Sequence, residues 1–412
     1  MVTLNYVLIF LLIGRLLCET CLRKLNASCT QSILSQPKRF ADFIDTDTLQ
    51  GSVAYTLANN QFALCQLFYE TMWAACILFS GIIPYFLSKF DTLTSSNLGQ
   101  GIAFFIWITC LHLCSLPLDY FHQFTIEKNF GFNRSTKRLW FADQVKGIVV
   151  SALINVPLFT ALLYFVQAFP RSWYVWGTFA YFFLQLVMVW IYPKVFLPFF
   201  NKLTPLEEGS LKTRLTALAQ RSGFKATAIQ VLDSSKRSSH SNAYCSSLGR
   251  IQHIVLYDTL LKDFSEDEIE AIVAHEMGHY KHKHILKILL FSTLSMALVL
   301  KLCDIMLYKH WFSSQLGLTT LTTPLMLLTW LYVCMPLFTY WTCPLSNYFS
   351  RRFEYEADQF AKEQSSSCGH HLIQALKKLY KTNLGNLYPH PWFSFFHYSH
   401  PTLLEREKHL TL

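Results

Sequence analysis

Long apolar runs alternate with short polar ones through most of this chain. Runs of about 20 residues, enough for a helix to cross a bilayer, recur at about 4–22, 62–87, 99–119, 147–169, 173–199, 284–307 and 321–343. Arg15 interrupts the first run, and Lys287 and Lys301 bound the sixth with stems long enough to carry their charges to the membrane surface. Between the fifth and sixth runs the pattern changes. Residues 209–222 have the spacing of an amphipathic helix, while 226–232 and 250–257 alternate as strands, with Ser238–Gly249 as a polar connection between them. A helix follows: Ser265 and Glu268 form a capping box, and Ile269, Ile272, Val273 and Glu276 share one face. The tail resumes helix from Ser350 and breaks at Pro389, Pro391 and Pro401.

Composition supports a polytopic membrane protein. The 412 residues are 52% hydrophobic and only 15% charged, too apolar for a soluble globular chain. Phe, Tyr and Trp number 35, 20 and 10, which suits aromatic belts at two membrane surfaces. The net charge of +9 is not gathered into a basic domain that would bind nucleic acid. It lies in alternate loops: Arg23, Lys24, Lys38 and Arg39; Lys128, Arg134, Lys137, Arg138 and Lys146; the segment 200–283; and the tail. The other connections carry only Lys89, Arg171 and Lys309. An odd number of spans puts every basic loop on one side, which the positive-inside rule makes cytosolic, and seven fits. The 12 Cys are scattered, many in apolar runs, as buried small hydrophobes in a reducing setting are. Cys18 and Cys21 make a solitary C-x-x-C at the end of a span, a pair of thiols without a partner pair. No Lys or Arg precedes Arg15 and no small-residue cleavage site follows, so the first run reads as an uncleaved span.

The expected organisation is five membrane helices with their loops in 1–199, a soluble segment in 200–283, two further membrane helices in 284–343 and a C-terminal soluble segment in 344–412. Residues 200–283 supply a small sheet beside a helix, and the two soluble segments join into one α+β domain across the last two spans.

The candidate chemistry lies on the helix after Ser265. His275-Glu276-Met277-Gly278-His279 is an H-E-x-x-H sequence. Residues four apart on a helix lie one turn above each other, about 6 Å between Cβ atoms, so two imidazoles can share one metal ion. The intervening Glu can then reach a water bound to that ion. In a chain with 15 His the motif alone is equally an accident, but here the helix is capped and Gly278 leaves room for a close neighbour. His282 and His284 extend the run as a solvated or headgroup-facing edge. A third ligand must come from elsewhere. In Ser350–Asp358, Glu354 and Asp358 share a helical face and Glu356 points away from it. Glu354 suits a ligand and Asp358 a carboxylate that orients a ligating imidazole; equally, they suit an acidic helix paired with Arg351 and Arg352.

Taken together these residues resemble the type I CAAX prenyl endopeptidases, integral-membrane zinc proteases. The resemblance runs from Leu116-Pro117 through Tyr120, Phe124, Ile126, Glu127, Gly131-Phe132-Asn133 and Thr136 to Asp143 and Lys146. It continues through His240-Ser241-Asn242-Ala243-Tyr244, the H-E-x-x-H helix, the Ser350–Asp358 run and His400-Pro401 to Leu403-Leu404-Glu405-Arg406. It implies one Zn2+ per chain on His275, His279 and Glu354, with Glu276 as general base. It also implies His400 and Arg406 as oxyanion donors, Asn242 and Ala243 as backbone partners of an extended substrate, and a zincin-like domain on seven helices around an intramembrane chamber. The implied substrate is a prenylated CAAX protein losing its last three residues, in the endoplasmic reticulum membrane of a eukaryote or the inner (cytoplasmic) membrane of a bacterium. The brief connection at about 308–320 implies a missing lumenal insertion.

Two other readings use some of the same residues. A membrane quality-control protease of the HtpX type shares the zinc helix and downstream Glu, but has fewer spans and lacks the Gly131-Phe132-Asn133 loop. A multi-span transporter or receptor would carry H-E-x-x-H by accident, but its charges would mark an intramembrane path, whereas here they sit at span ends and in soluble segments.

Overall fold

A computed structural model of the chain describes residues 2–35, 40–91, 96–224, 226–248, 251–308, 323–365 and 367–412. Among the described residues seven helices are long and apolar enough to cross a membrane, the number expected from charge placement. They are α1 (Val2–Ser32), α2 (Thr46–Phe79), α3 (Asn97–Phe121), α4 (Lys137–Ala168), α5 (Trp173–Ile191), and later α8 (His284–Tyr308) and α9 (Pro324–Gln364). The second differs from its expected bounds. It begins at Thr46, and the chain breaks at Ser80-Gly81, where Gly81 takes φ +79°, before a separate helix Ile82–Asp91. Arg15 is accommodated within α1 because it donates to Glu70 of α2 at 2.9 Å. The brief connection expected at about 308–320 lies, apart from Tyr308, outside the described residues.

Successive membrane helices touch, α2 and α3 through Tyr69–Cys114 and Phe62–Phe121, and α9 returns to α1 while also touching α2, α3 and α4, so the seven close into a ring. A packed bundle would bury one face of each helix. Here only Leu163 and Val166 of α4 are buried, and only Trp173 and Gly177 of α5. These two helices thus leave most of their surface for lipid on the outside and for the chamber inside the ring. One end of that chamber is closed by an apolar cluster that includes Leu8, Leu87, Trp107, Trp173, Leu307 and Trp330. At the other end a second core joins Ile33, Leu49 and Val53 to the soluble segments.

The soluble segments contribute β1 (Leu203–Pro205), α6 (Ser210–Ser222), β2 (Ala228–Leu232), β3 (Ala243–Leu248), β4 (Ile251–Tyr257) and α7 (Glu266–Lys281). After α9 come α10 (Cys368–Thr382), α11 (Pro391–His397) and α12 (Leu403–Thr411). The strands form one sheet in the order β1-β2-β4-β3, with β2 parallel to β4 and the outer pairs antiparallel. This corrects the reading of Ser238–Gly249 as a plain connection, since Ala243–Leu248 is an edge strand paired along its length with β4. A second correction concerns the tail. It does not start a new helix at Ser350, because α9 is one helix of 41 residues that runs through Pro336, Pro344 and Ser350 to Gln364.

The Gly131-Phe132-Asn133 loop holds the start of β3. Asn133 forms a bridge with Ser238, and the Phe132 carbonyl accepts from the Ser239 N–H at 3.2 Å. The His240 ring stacks on Phe132 with 4.3 Å between centroids, and its Nε2 lies 3.4 Å from the Glu127 carboxylate. Arg237 adds a two-pronged contact to Asp143 at 3.0 and 3.2 Å. The membrane helices thus fix where the edge strand begins.

Candidate active site

Helix α7 starts where its capping box predicts, with both reciprocal Ser265–Glu268 bonds formed. Its buried face carries Ile269, Ile272, Val273, His275 and Gly278, and it packs against α9. Gly278 permits the approach. A Cβ there would sit 2.8 Å from the Ala357 Cα and 3.0 Å from the Ala357 carbonyl, backbone atoms that cannot turn aside. Gly278→Ala is expected to destabilise the fold by about 1–3 kcal/mol by overpacking, and to cut metal content by parting α7 from α9. Denaturant unfolding and metal analysis of the purified variant check both.

Across this contact α9 presents Glu354 to the two histidines. The Nε2 atoms of His275 and His279 are 3.2 Å apart, and each lies 3.3 Å from a Glu354 oxygen. A tetrahedral cation with bonds of about 2.0–2.1 Å separates its ligands by about 3.3 Å. The Glu354 Oε2 is moreover buried without a hydrogen-bond partner, a cost that a cation would remove. The three residues, and the atoms they offer, fit a small divalent metal ion.

Supporting groups orient the His275 imidazole. The Asp358 carboxylate lies 2.8 Å from His275 Nδ1, so that nitrogen donates and Nε2 is left for the metal. Asp358 is fully buried and is itself gripped by Arg406 through both Nε and Nη2. Burial pulls His275 down, but the Asp358 and Glu354 carboxylates outweigh it and hold the imidazole at about 9. Glu276 projects from the same helix, and burial raises it above the usual carboxylate range, against the pull of His275 and His279.

His400 and Arg406 border this cluster, while Asn242 and Ala243 begin the strand that lies against α7. His400 Nε2 is 3.4 Å from Glu354 Oε1, and its side chain keeps 64% of its surface accessible although protein surrounds it, as in the wall of an open chamber. Burial lowers it, favouring the neutral ring, and Ser399 Oγ lies 2.9 Å from Nδ1. With that hydroxyl donating, Nε2 carries the proton and faces the cluster. Arg406 spends two nitrogens on Asp358, leaving Nη1 at 3.8 Å from Glu354 Oε2. Asn242 and Ala243 stand where β3 begins, Asn242 exposed and its Oδ1 accepting from the Ala243 N–H at 2.8 Å. The outer edge of β3 pairs with no strand among the described residues, and β3 lies against α7.

One residue reads differently from its sequence context. His284 is not a solvated edge: it is 1% exposed, with Nδ1 2.9 Å from His279 Nδ1. Lys283 takes φ +55°, and this left-handed residue turns the chain back beneath α7. The only sequence signal was a histidine five positions after a ligand, which no helical period connects.

A ring of membrane helices carrying a two-histidine, one-glutamate cluster on the contact between an H-E-x-x-H helix and a second helix defines an integral-membrane metallopeptidase. Comparison with known proteins agrees with that class. Residues 28–202 match the family described as CAAX prenyl protease N-terminal, five membrane helices, and residues 205–411 match peptidase family M48. The chain is 32% identical to CAAX prenyl protease 1 of Saccharomyces cerevisiae, over 90% of this chain and 87% of that one. It is 34% identical to a CAAX prenyl protease 1 homolog of Oryza sativa subsp. japonica, over 90% and 88%. The crystal structure of S. mikatae Ste24p superposes with a TM-score of 0.89 at 29% identity, covering 100% of this chain and 99% of that one. The chain belongs to peptidase family M48, among the CAAX prenyl proteases.

Proposed function

We propose that this chain is a zinc endopeptidase that removes the last three residues from proteins ending in a prenylated CAAX sequence. The observation that carries this is the spacing of about 3.3 Å among His275 Nε2, His279 Nε2 and the Glu354 oxygens, in a chain with seven helices able to cross a membrane. When bound, zinc would acidify a water and polarise the scissile carbonyl. The protein's residues do the rest. Glu276 takes the water's proton and returns it to the leaving amine. His400 Nε2–H and Arg406 Nη1 donate to the oxyanion. Asn242 and Ala243 begin an edge strand to which an extended substrate adds as a further strand. Asp358 holds His275, and the chamber takes the prenyl chain. The basic loops at this end support a cytosolic site by the positive-inside rule.

The test compares a farnesylated CAAX peptide with its unprenylated twin, using protein purified in detergent. Cleavage after the modified cysteine, with kcat/KM at least about tenfold higher for the farnesylated peptide, is expected; that ratio corresponds to 1.4 kcal/mol of preference. Equal cleavage of the two would leave a membrane protease of broader specificity, as in quality control.

A further inference from the structure

We propose that His284 and Glu356 form a relay that holds His279 in the one tautomer able to bind a metal. This rests on the reading of His279 as a ligand. The geometry leaves little choice of protons. His284 Nε2 lies 3.0 Å from Glu356 Oε2, and an ionised carboxylate only accepts, so Nε2 carries the hydrogen. A neutral imidazole has one N–H, so His284 Nδ1 offers a lone pair. The atom facing it at 2.9 Å is His279 Nδ1, which must then donate. With its hydrogen on Nδ1, His279 turns the lone pair of Nε2 toward His275 and Glu354, where a cation would sit.

The supporting shell is built for this. The left-handed residue Lys283 brings His284 back beneath its partner, a conformation rarely taken by a side-chain-bearing residue. The His284 ring is clamped face to face on Phe353, with centroids 4.4 Å apart and planes 15° apart. Glu356 is held by Lys287 at 3.3 Å. His275 obtains the same proton placement from Asp358 directly. The two ligands therefore differ in how they are held: one by a carboxylate, the other by a carboxylate acting through a second imidazole.

Partners of metal-ligating histidines change metal affinity by about 10–100-fold when removed. His284→Leu keeps a side chain against Phe353 but removes the acceptor, whereas His284→Asn places an oxygen near the position of Nδ1. Zinc affinity is measured by competition with a chelating dye, and the visible spectrum of the cobalt-loaded protein is recorded beside it. The expected result is zinc binding about 10–100-fold weaker in His284→Leu with an altered cobalt spectrum, and recovery of most of the loss in His284→Asn. Equal losses in both variants, or parental affinity in His284→Leu, would overturn the relay. If His284→Leu does not fold, Glu356→Leu decides at a site whose side chain is 31% exposed: weaker zinc binding supports the relay and unchanged binding overturns it. Failure of the parent protein to bind zinc would instead remove the ligand assignment itself.

Discussion

Glu276→Gln should keep its zinc and lose turnover, with kcat lowered by about 100- to 10,000-fold. The substitution preserves size and shape on α7, and none of His275, His279 or Glu354 is altered. It removes only the ability to accept a proton. Burial raises Glu276 above its ordinary range in the metal-free protein, and the charge of a bound cation opposes that rise. The parent is expected to lose kcat on the acid side as Glu276 gains a proton, and residual activity of the variant should lack that limb. Rates across pH, with zinc content measured on the same samples, check both parts. A variant that cleaves at the parental rate removes Glu276 from the chemistry.

Glu354→Ala is expected to abolish both metal binding and cleavage. The two histidines alone leave the ion short of the three protein ligands that a catalytic zinc site uses. The readout need not be activity. A ligand present at 100 times its Kd stabilises the fold that binds it by about 2.7 kcal/mol, so zinc should raise the Tm of the parent and leave that of Glu354→Ala unchanged. Proton competition adds a signature. The carboxylates hold His275 at about 9, so zinc must displace a proton at neutral pH. Each unit of pH below that value should weaken zinc binding by up to about tenfold in the parent, since one proton is exchanged.

What the sequence revealed follows from how local the signals are. The relation of His275 to His279, and of Glu354 to Asp358, is fixed by one helical turn and is legible in a string of letters. Seven spans are legible from length and charge. The start of α2 was not, because Gln50, Asn59, Asn60 and Gln61 break the apolar run. In a helix that walls a chamber such residues need not meet lipid: Asn59 meets His122 at 2.8 Å and Asn60 is buried. Strand β3 was hidden by Ser246-Ser247, polar residues at the edge of a sheet, where pairing with β4 outweighs composition. The length of α9 was masked by Pro344, which directly follows the run expected at 321–343; proline ends most soluble helices and is tolerated in membrane ones. His284 was hidden by a left-handed turn at Lys283, a backbone state that sequence spacing does not encode.

The most direct test is anomalous X-ray diffraction from crystals of the purified protein, recorded above and below the zinc absorption edge. One peak, present only above the edge and within about 2.0–2.2 Å of His275 Nε2, His279 Nε2 and a Glu354 oxygen, is expected. A zinc peak elsewhere in the chain, with these three side chains bonded only to one another, would contradict it.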